Sequence, residues 1–310
     1  MAELTEEQQG DEYYLQATTM MQKNNWFFGP TKSEKIEESI KLYTKAAFKY
    51  KSAQCYKKAG DSFKELAKLY ETSPHHHYSA ANALTDAAEM FRKVDLVSTR
   101  AALNKSIKIL LDNNRYAAAA KNLKFLGEIA EEESQFMEAI IIYEKAVSYY
   151  EFDKHPFEAI LTLERTIKLF IDQKEYKRAI TNLEKMALYH NSTHTHYKTN
   201  SYFFEIIVLQ LFLGDVVECK KLLVSYCKIK QDFNKTPEYE ALENIISGYE
   251  CNDSKKLHND ILNRKIKIKT WVSDLLNEIQ NKFDGGVGED FAEDYNKGFN
   301  KDFVEEEDLT

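Results

Sequence analysis

The chain has 310 residues, with only 10 Gly, 4 Pro and 4 Cys, and a formal net charge of −8. That length can bury a full core as one elongated domain or two compact ones, and so few chain breakers among abundant Ala, Leu, Ile, Lys and Glu favour long helices over a strand-rich fold. No apolar run approaches the roughly 18 residues of a membrane span, and the opening MAELTEEQQGDE is acidic where a secretory signal is basic and then apolar, so a cytoplasmic all-α protein is expected.

From the N-terminus, the first irregularity is NNWFFGPTKSEK, residues 24–35, where Trp26, Phe27 and Phe28 stand beside Gly29 and Pro30 in a polar turn. Two readings are open. The rings tuck under the second helix as a hydrophobic staple, or they enter a bilayer surface, gaining at most about 1.5–3 kcal/mol each, with Lys23, Lys32 and Lys35 adding about 1 kcal/mol apiece near anionic lipid. Contact of the second kind is reversible docking, not anchoring.

Beyond this stretch the sequence repeats. Tyr43, Phe63, Ala83, Leu103, Leu123, Tyr143, Leu163, Leu183, Phe203 and Leu223 follow one another at intervals of twenty, and all are apolar. Four residues before each stands a small residue: Ser39, Ala59, Ser79, Thr99, Ala119, Ala139, Ala159, Ala179, Thr199 and Cys219. Four residues after come Ala47, Ala67, Ala87, Ile107, Gly127, Val147, Ile167, Ala187, Ile207 and Cys227. These three positions share one helix face, and small side chains there let a neighbouring helix approach closely. Connections of a few residues force successive helices to alternate direction, so two helices make a hairpin of about forty residues. Stacked hairpins of this length predict an all-α, TPR-like α-solenoid, a twisted sheet of helices whose unit exceeds the 34 residues of a tetratricopeptide repeat.

The register is lost near residue 230, where position 243 is Glu, and the segments 237–251, 254–267 and 268–283 follow another spacing. The expected organisation is a helical-hairpin repeat sheet over 1–230, a C-terminal helical bundle over 231–283 and an acidic, mostly flexible tail over 284–310. The tail holds ten acidic residues against Lys297 and Lys301, so it carries the whole net charge and residues 1–283 balance to zero. Cys219 and Cys227 lie eight residues apart on one helical pattern, about 12 Å along its axis and too far to bridge; with Cys55 and Cys251 they read as reduced core thiols.

No enzyme signature appears: the sequence has no phosphate loop, no G-x-G-x-x-G, no H-E-x-x-H, no G-x-S-x-G and no C-x-x-C. His75, His76 and His77, and then His190, His194 and His196, fall where one helix hands over to the next, without the supporting ligands of a metal site. No catalytic residue, cofactor or metal is expected. Arg92, Lys93, Arg115, Lys121, Arg165 and Lys168 fall near helix ends or on polar faces of successive units, either merely solvated or forming a basic face for an acidic helical partner. The acidic balance and the lack of a dense Lys/Arg run disfavour nucleic acid.

Four segments carry a resemblance to a known family. They are Phe27 and Phe28 in a loop followed by Ser33, Lys35, Ile36, Glu37 and Glu38; NNRYAAAAKNLKFLGEIAEEE; TWVSDLL; and the terminus EEEDLT. Together they resemble the soluble NSF attachment proteins, α type, over nearly the whole chain. The resemblance implies an adaptor, not an enzyme: a concave helical face lies along the acidic four-helix SNARE bundle, and the C-terminal end recruits and stimulates the hexameric NSF-type AAA ATPase that disassembles it in vesicle fusion and membrane trafficking. It implies SNARE contact at Arg115 and Lys121, and at Arg92, Lys93 and Arg165. Leu161 departs from the family's lysine there, which Lys168 compensates. It also implies ATPase contact at Glu306, Glu307, Asp308 and Leu309, and peripheral membrane contact through Trp26, Phe27 and Phe28, which favours the bilayer over the staple. A second departure is the Gly- and Asp-rich insertion between Phe283 and the last six residues. The competing class is a general TPR-like peptide-binding scaffold or co-chaperone, whose groove would show Asn and Lys positions at a 34-residue interval instead of a forty-residue hairpin.

Overall fold

The computed structural model describes residues 4–22, 31–192, 196–251, 253 and 266–284. Every regular element among them is helical. The sequence-derived membrane contacts Trp26, Phe27 and Phe28, the ATPase contacts Glu306, Glu307, Asp308 and Leu309, and the acidic tail beyond Asp284 lie outside the described residues. No helix among the described residues is long and apolar enough to cross a membrane.

The chain divides into two compact units, residues 1–169 and 170–310. Unit 1 comprises α1 (Glu6–Gln22), α2 (Lys32–Ser52), α3 (Tyr56–Glu71), α4 (His77–Phe91), α5 (Leu96–Asp112), α6 (Tyr116–Glu132), α7 (Phe136–Phe152) and most of α8 (Pro156–Asp172). Each helix packs on its successor from α1 on α2 through α6 on α7, the stack of antiparallel hairpins that the repeat requires. The start of α2 is fixed locally: Thr31 caps it, accepting from the Glu34 N–H, while the Glu34 carboxylate accepts from the Thr31 N–H at 2.7 Å.

All ten of the twenty-spaced large positions are buried, from Leu103 and Tyr143 at 0 % exposure to Leu223 at 7 %. The small positions beside them are what admits those side chains. A methyl group on Gly127 would meet the Tyr143 ring at 2.5 Å, so the fully buried tyrosine of α7 takes the space that a side chain on α6 would fill. Ser79 and Cys227 are the small positions only half-buried.

The turns keep the same beat. Gln54, Asn114, Ser134, Lys154 and Lys174 have φ between 55° and 60°, and Gly214 has φ of 83°. Each closes the preceding helix with two backbone bonds. In the α7–α8 turn the Lys154 N–H donates to the Glu151 carbonyl at 3.2 Å and the His155 N–H to the Tyr150 carbonyl at 2.8 Å. Side chains other than glycine are strained in this left-handed region.

Unit 2 is organised differently. It contains α9 (Tyr176–Asn191), α10 (Thr199–Phe212), α11 (Val216–Ile229), α12 (Pro237–Glu250) and α13 (Thr270–Asp284). Helix α10 is buried continuously from Tyr202 to Leu209 and packs on α9, α11, α12 and α13, as a helix apolar all round must. Phe203 stacks on Tyr226 with centroids 3.9 Å apart and meets Phe233 edge-on at 5.2 Å. Glu205, at 2 % exposure, is paired with Lys269 at 2.9 Å, which fastens the segment leading into α13 to α10. The register boundary at residue 230 and the contact boundary inside α8 therefore fall at different places.

Two sequence expectations are corrected in unit 2. His190 belongs to α9, not to a polar handover: it is buried, and its ring stacks on Tyr202 at 5.3 Å. Cys251 is exposed because it follows the end of α12, and Cys227 is half-buried on α11; Cys55 in unit 1 is half-buried too, and only Cys219 is a fully buried thiol.

Relief of the turn strain is measurable. Lys154→Gly is expected to raise stability by about 0.5–1 kcal/mol, since removing Cβ at positive φ outweighs the added freedom of the unfolded chain; Gly214→Ala is expected to lower it by a similar amount. Denaturant unfolding of the two variants beside the parent chain checks both signs.

Candidate functional site

In a stack of antiparallel hairpins the even-numbered helices run parallel to one another, so side chains about forty residues apart come within reach. In unit 1 this brings Arg92 and Arg165 to one set of carboxylates. Arg92, the C-cap of α4, bonds Glu132 of α6 through Nε at 3.0 Å and through Nη2, and its Nη1 reaches Glu128 at 3.4 Å. Arg165 of α8 donates to Glu131 at 2.6 Å and to Glu128 at 3.1 Å. Glu128 thus joins α4, α6 and α8.

Aromatic rings complete this cluster. The Arg92 guanidinium lies over Phe125 at 5.1 Å and that of Arg165 over Tyr143 at 5.5 Å, while the Tyr143 hydroxyl donates to Glu131. The hydrogen bond from Arg92 to Glu132 raises the guanidinium's pKa above its usual range. For Arg165, burial pulls the other way, but Glu131, Tyr143 and Glu128 together outweigh it and the pKa is again raised. Burial and then the bond to Glu131 push the Tyr143 phenol well up.

Beside the cluster lies an open groove of about 1090 Å³, lined by residues of α2, α3, α4 and α6 and of the α4–α5 turn. Its lining combines the apolar side chains of Tyr56, Met90 and Phe125 with Lys51, Lys93, Lys121 and Lys124. None of these four lysines forms an ion pair among the described residues; Lys93 lies over the Tyr56 ring at 5.4 Å. Acidic Glu89, Glu128 and Glu132 also line the groove, the last two engaged by Arg92. Asp86, on the same helix as Glu89, has its carboxyl pKa raised by partial desolvation and by Glu89, with Lys51 and Lys121 pulling it back down.

The lining is braced from within by a polar bridge. The Asn122 amide donates to Thr85 Oγ1 and to Ser106 Oγ, each at 2.9 Å, and Ser106 donates to the Ala81 carbonyl at 2.7 Å, tying α4, α5 and α6 together. Thr85 and Asn122 both line the groove, so the bridge fixes the spacing of α4 and α6, two of the helices that carry its charge.

The six basic residues singled out from the sequence are placed as follows. Arg92, Lys93 and Lys121 line the groove, and Arg165 joins them through Glu128. Arg115 is exposed at the N-cap of α6, about 9 Å along the helix axis from Lys121. Lys168 is exposed on α8, one turn beyond Arg165. Leu161 is 42 % exposed on the same helix, one turn before Arg165. Sequence reasoning missed Lys51, Lys124 and the three glutamates. For Glu128 and Glu132 a signal existed: with Lys121, Lys124 and Phe125 they recur at three- and four-residue spacing on α6. Among the described residues, no group of three or more His, Cys, Asp or Glu is arranged to hold a metal ion.

Known proteins resemble the chain over almost all of the described residues. The chain is 25 % identical over 277 residues to the alpha-soluble NSF attachment protein of Vitis vinifera, covering 88 % of this chain and 93 % of that one. It is 26 % identical over 261 residues to the Homo sapiens alpha-soluble NSF attachment protein, covering 82 % and 86 %. It is 27 % identical over 265 residues to the vesicular-fusion protein SEC17 of Komagataella phaffii, covering 82 % and 88 %. The model of the family described as soluble NSF attachment protein, SNAP, matches residues 8–284, from the first helix of unit 1 to the last helix of unit 2, and the chain belongs to that family.

Proposed function

We propose that this chain carries out its family's adaptor role by laying the lysine-bearing even-helix face of unit 1 against an acidic, assembled SNARE bundle. In this reading the chain links SNARE complexes to the NSF-type ATPase in vesicle fusion, and the ATPase supplies the work; its membership of the soluble NSF attachment protein family and its likeness to a vesicular-fusion protein support it. The single observation that carries the assignment of the face is the groove lined by α2, α3, α4 and α6, where four lysines that form no ion pair among the described residues stand beside apolar side chains. Lys93, Arg115, Lys121 and Lys168 are the contacts in this reading, with Arg92 and Arg165 framing the face.

Three further elements complete the proposal. The C-terminal helices of residues 231–283 and the acidic end, with Glu306, Glu307, Asp308 and Leu309, engage and stimulate the ATPase. Trp26, Phe27 and Phe28 touch the membrane reversibly, which raises the local concentration of adaptor at its target without a tighter protein contact. The chain works in the cytoplasm and at membrane surfaces, performs no catalysis, needs no cofactor and takes no nucleic acid as partner.

Charge-driven docking weakens with salt. Reversing Arg115 and Lys121 together to Glu is expected to abolish pull-down of assembled SNARE complexes with helicity unchanged by circular dichroism; retained binding would remove the assignment of the face. Leu309→Ala is expected to join the complex with ATPase but to fail to stimulate ATP hydrolysis, read as phosphate release. Replacing Trp26, Phe27 and Phe28 by Ser is expected to slow disassembly on liposomes and leave it nearly unchanged in detergent, whereas equal slowing in both would favour the staple.

A further inference from the structure

Cations on unit 1 fall into two classes that the sequence does not separate, those held by internal acids, with Lys49, Lys58 and Lys105 among them, and those left unengaged. Three of its four arginines are held by internal acids: Arg92 by Glu128 and Glu132, Arg165 by Glu128 and Glu131, and Arg100 of α5 by Glu133 at 2.7 Å and Glu138 at 2.9 Å. All five acids lie on α6, in the turn after it, or in the first turn of α7. The lysines of the groove, Lys51, Lys93, Lys121 and Lys124, have no such partners among the described residues.

The chemistry of the two side chains fits this division. A guanidinium is planar, offers several donors in a fixed fork, and can bridge two carboxylates on different helices while lying on a ring; an ammonium on a flexible stem is a mobile point charge suited to an acidic surface of variable detail. Around Arg92 and Arg165 there are three carboxylates for two guanidinia, so this cluster offers an approaching acid no net positive charge. An acidic partner that approached either arginine would meet a guanidinium already neutralised by glutamates in place. The groove lysines can be met without breaking an ion pair among the described residues.

We propose that the acidic partner is read by Lys51, Lys93, Lys121 and Lys124, that Arg92 and Arg165 brace α4, α6 and α8 rather than contact it, and that Glu128 and Glu132 set the strength of the face by occupying guanidinia. This rests on the adaptor reading above and adds to it two contact residues, Lys51 and Lys124, and two acids that limit affinity. Because Glu132 bonds only Arg92 in the cluster, neutralising it removes one negative charge from the face and frees two of the Arg92 nitrogens, while Glu128 still holds the third and ties α4 to α8.

The test is a set of single variants of the full chain, measured for affinity to purified, assembled SNARE complex at fixed salt and for melting temperature. Lys51→Gln and Lys124→Gln are each expected to weaken binding several-fold with melting unchanged. Arg92→Gln is expected to lower the melting temperature while changing affinity less than about twofold. Glu132→Gln is expected to tighten binding several-fold, and adding Arg92→Gln to it is expected to cancel that gain. Arg92→Gln weakening binding as much as Lys124→Gln with no change in melting, or Lys51→Gln and Lys124→Gln both binding like the parent, would overturn the division of labour. If the double reversal of Arg115 and Lys121 bound like the parent, the adaptor face itself would be misplaced and this inference would fall with it, an outcome distinct from failure of the lysine and arginine arms alone.

Discussion

Everything in unit 1 depends on how closely successive helices approach at the small residues flanking each buried large one. Tyr143 is fully buried because Gly127 has no side chain, and Ala139 and Ala119 are fully buried at equivalent places in their own helices. Dispersion and burial at such contacts are individually modest, but they recur at every helix pair and lock the hairpins into one register. A larger side chain at Gly127 would push the Tyr143 ring aside, and with it the hydroxyl that reaches Glu131. Packing and electrostatics are therefore coupled at this point.

The constant repeat length has an electrostatic consequence. Helices of equal length with equal turns bring positions about forty residues apart to the same height on parallel neighbours, which is why Arg92 meets Glu128 and Glu132 and why Glu128 meets Arg165. These pairs are partly exposed, and each alone is worth little. Their shared glutamate and the rings under both guanidinia make them a connected network across three helices, and the lysines of the neighbouring groove are what such a network leaves unengaged.

Unit 2 meets a different constraint. Helix α10 has no polar face to offer water, so other helices surround it, and the one buried acid on it, Glu205, is matched by Lys269 from the segment before α13. A buried carboxylate without that partner would be costly, so the pair specifies where this segment sits on α10. Regular stacking thus gives way to enclosure around a central helix, and the twenty-residue spacing ends once α11 is complete.

The helical class, the hairpin length, the buried large positions and the small residues beside them were all legible in the sequence, because each follows from local periodicity: one helix face every three to four residues and one turn every twenty. The left-handed turn positions kept that same beat but carried no glycine at five of six places, so composition hid them. Family membership was legible through short motifs spread over both units. What the tertiary structure alone decided was the fate of the charges. Arg92 and Lys93 are neighbours in sequence, yet one is bound to α6 carboxylates and the other lies in the groove over Tyr56, because pairing depends on which side chain of a helix forty residues away arrives at the same height, and no local pattern encodes that distance.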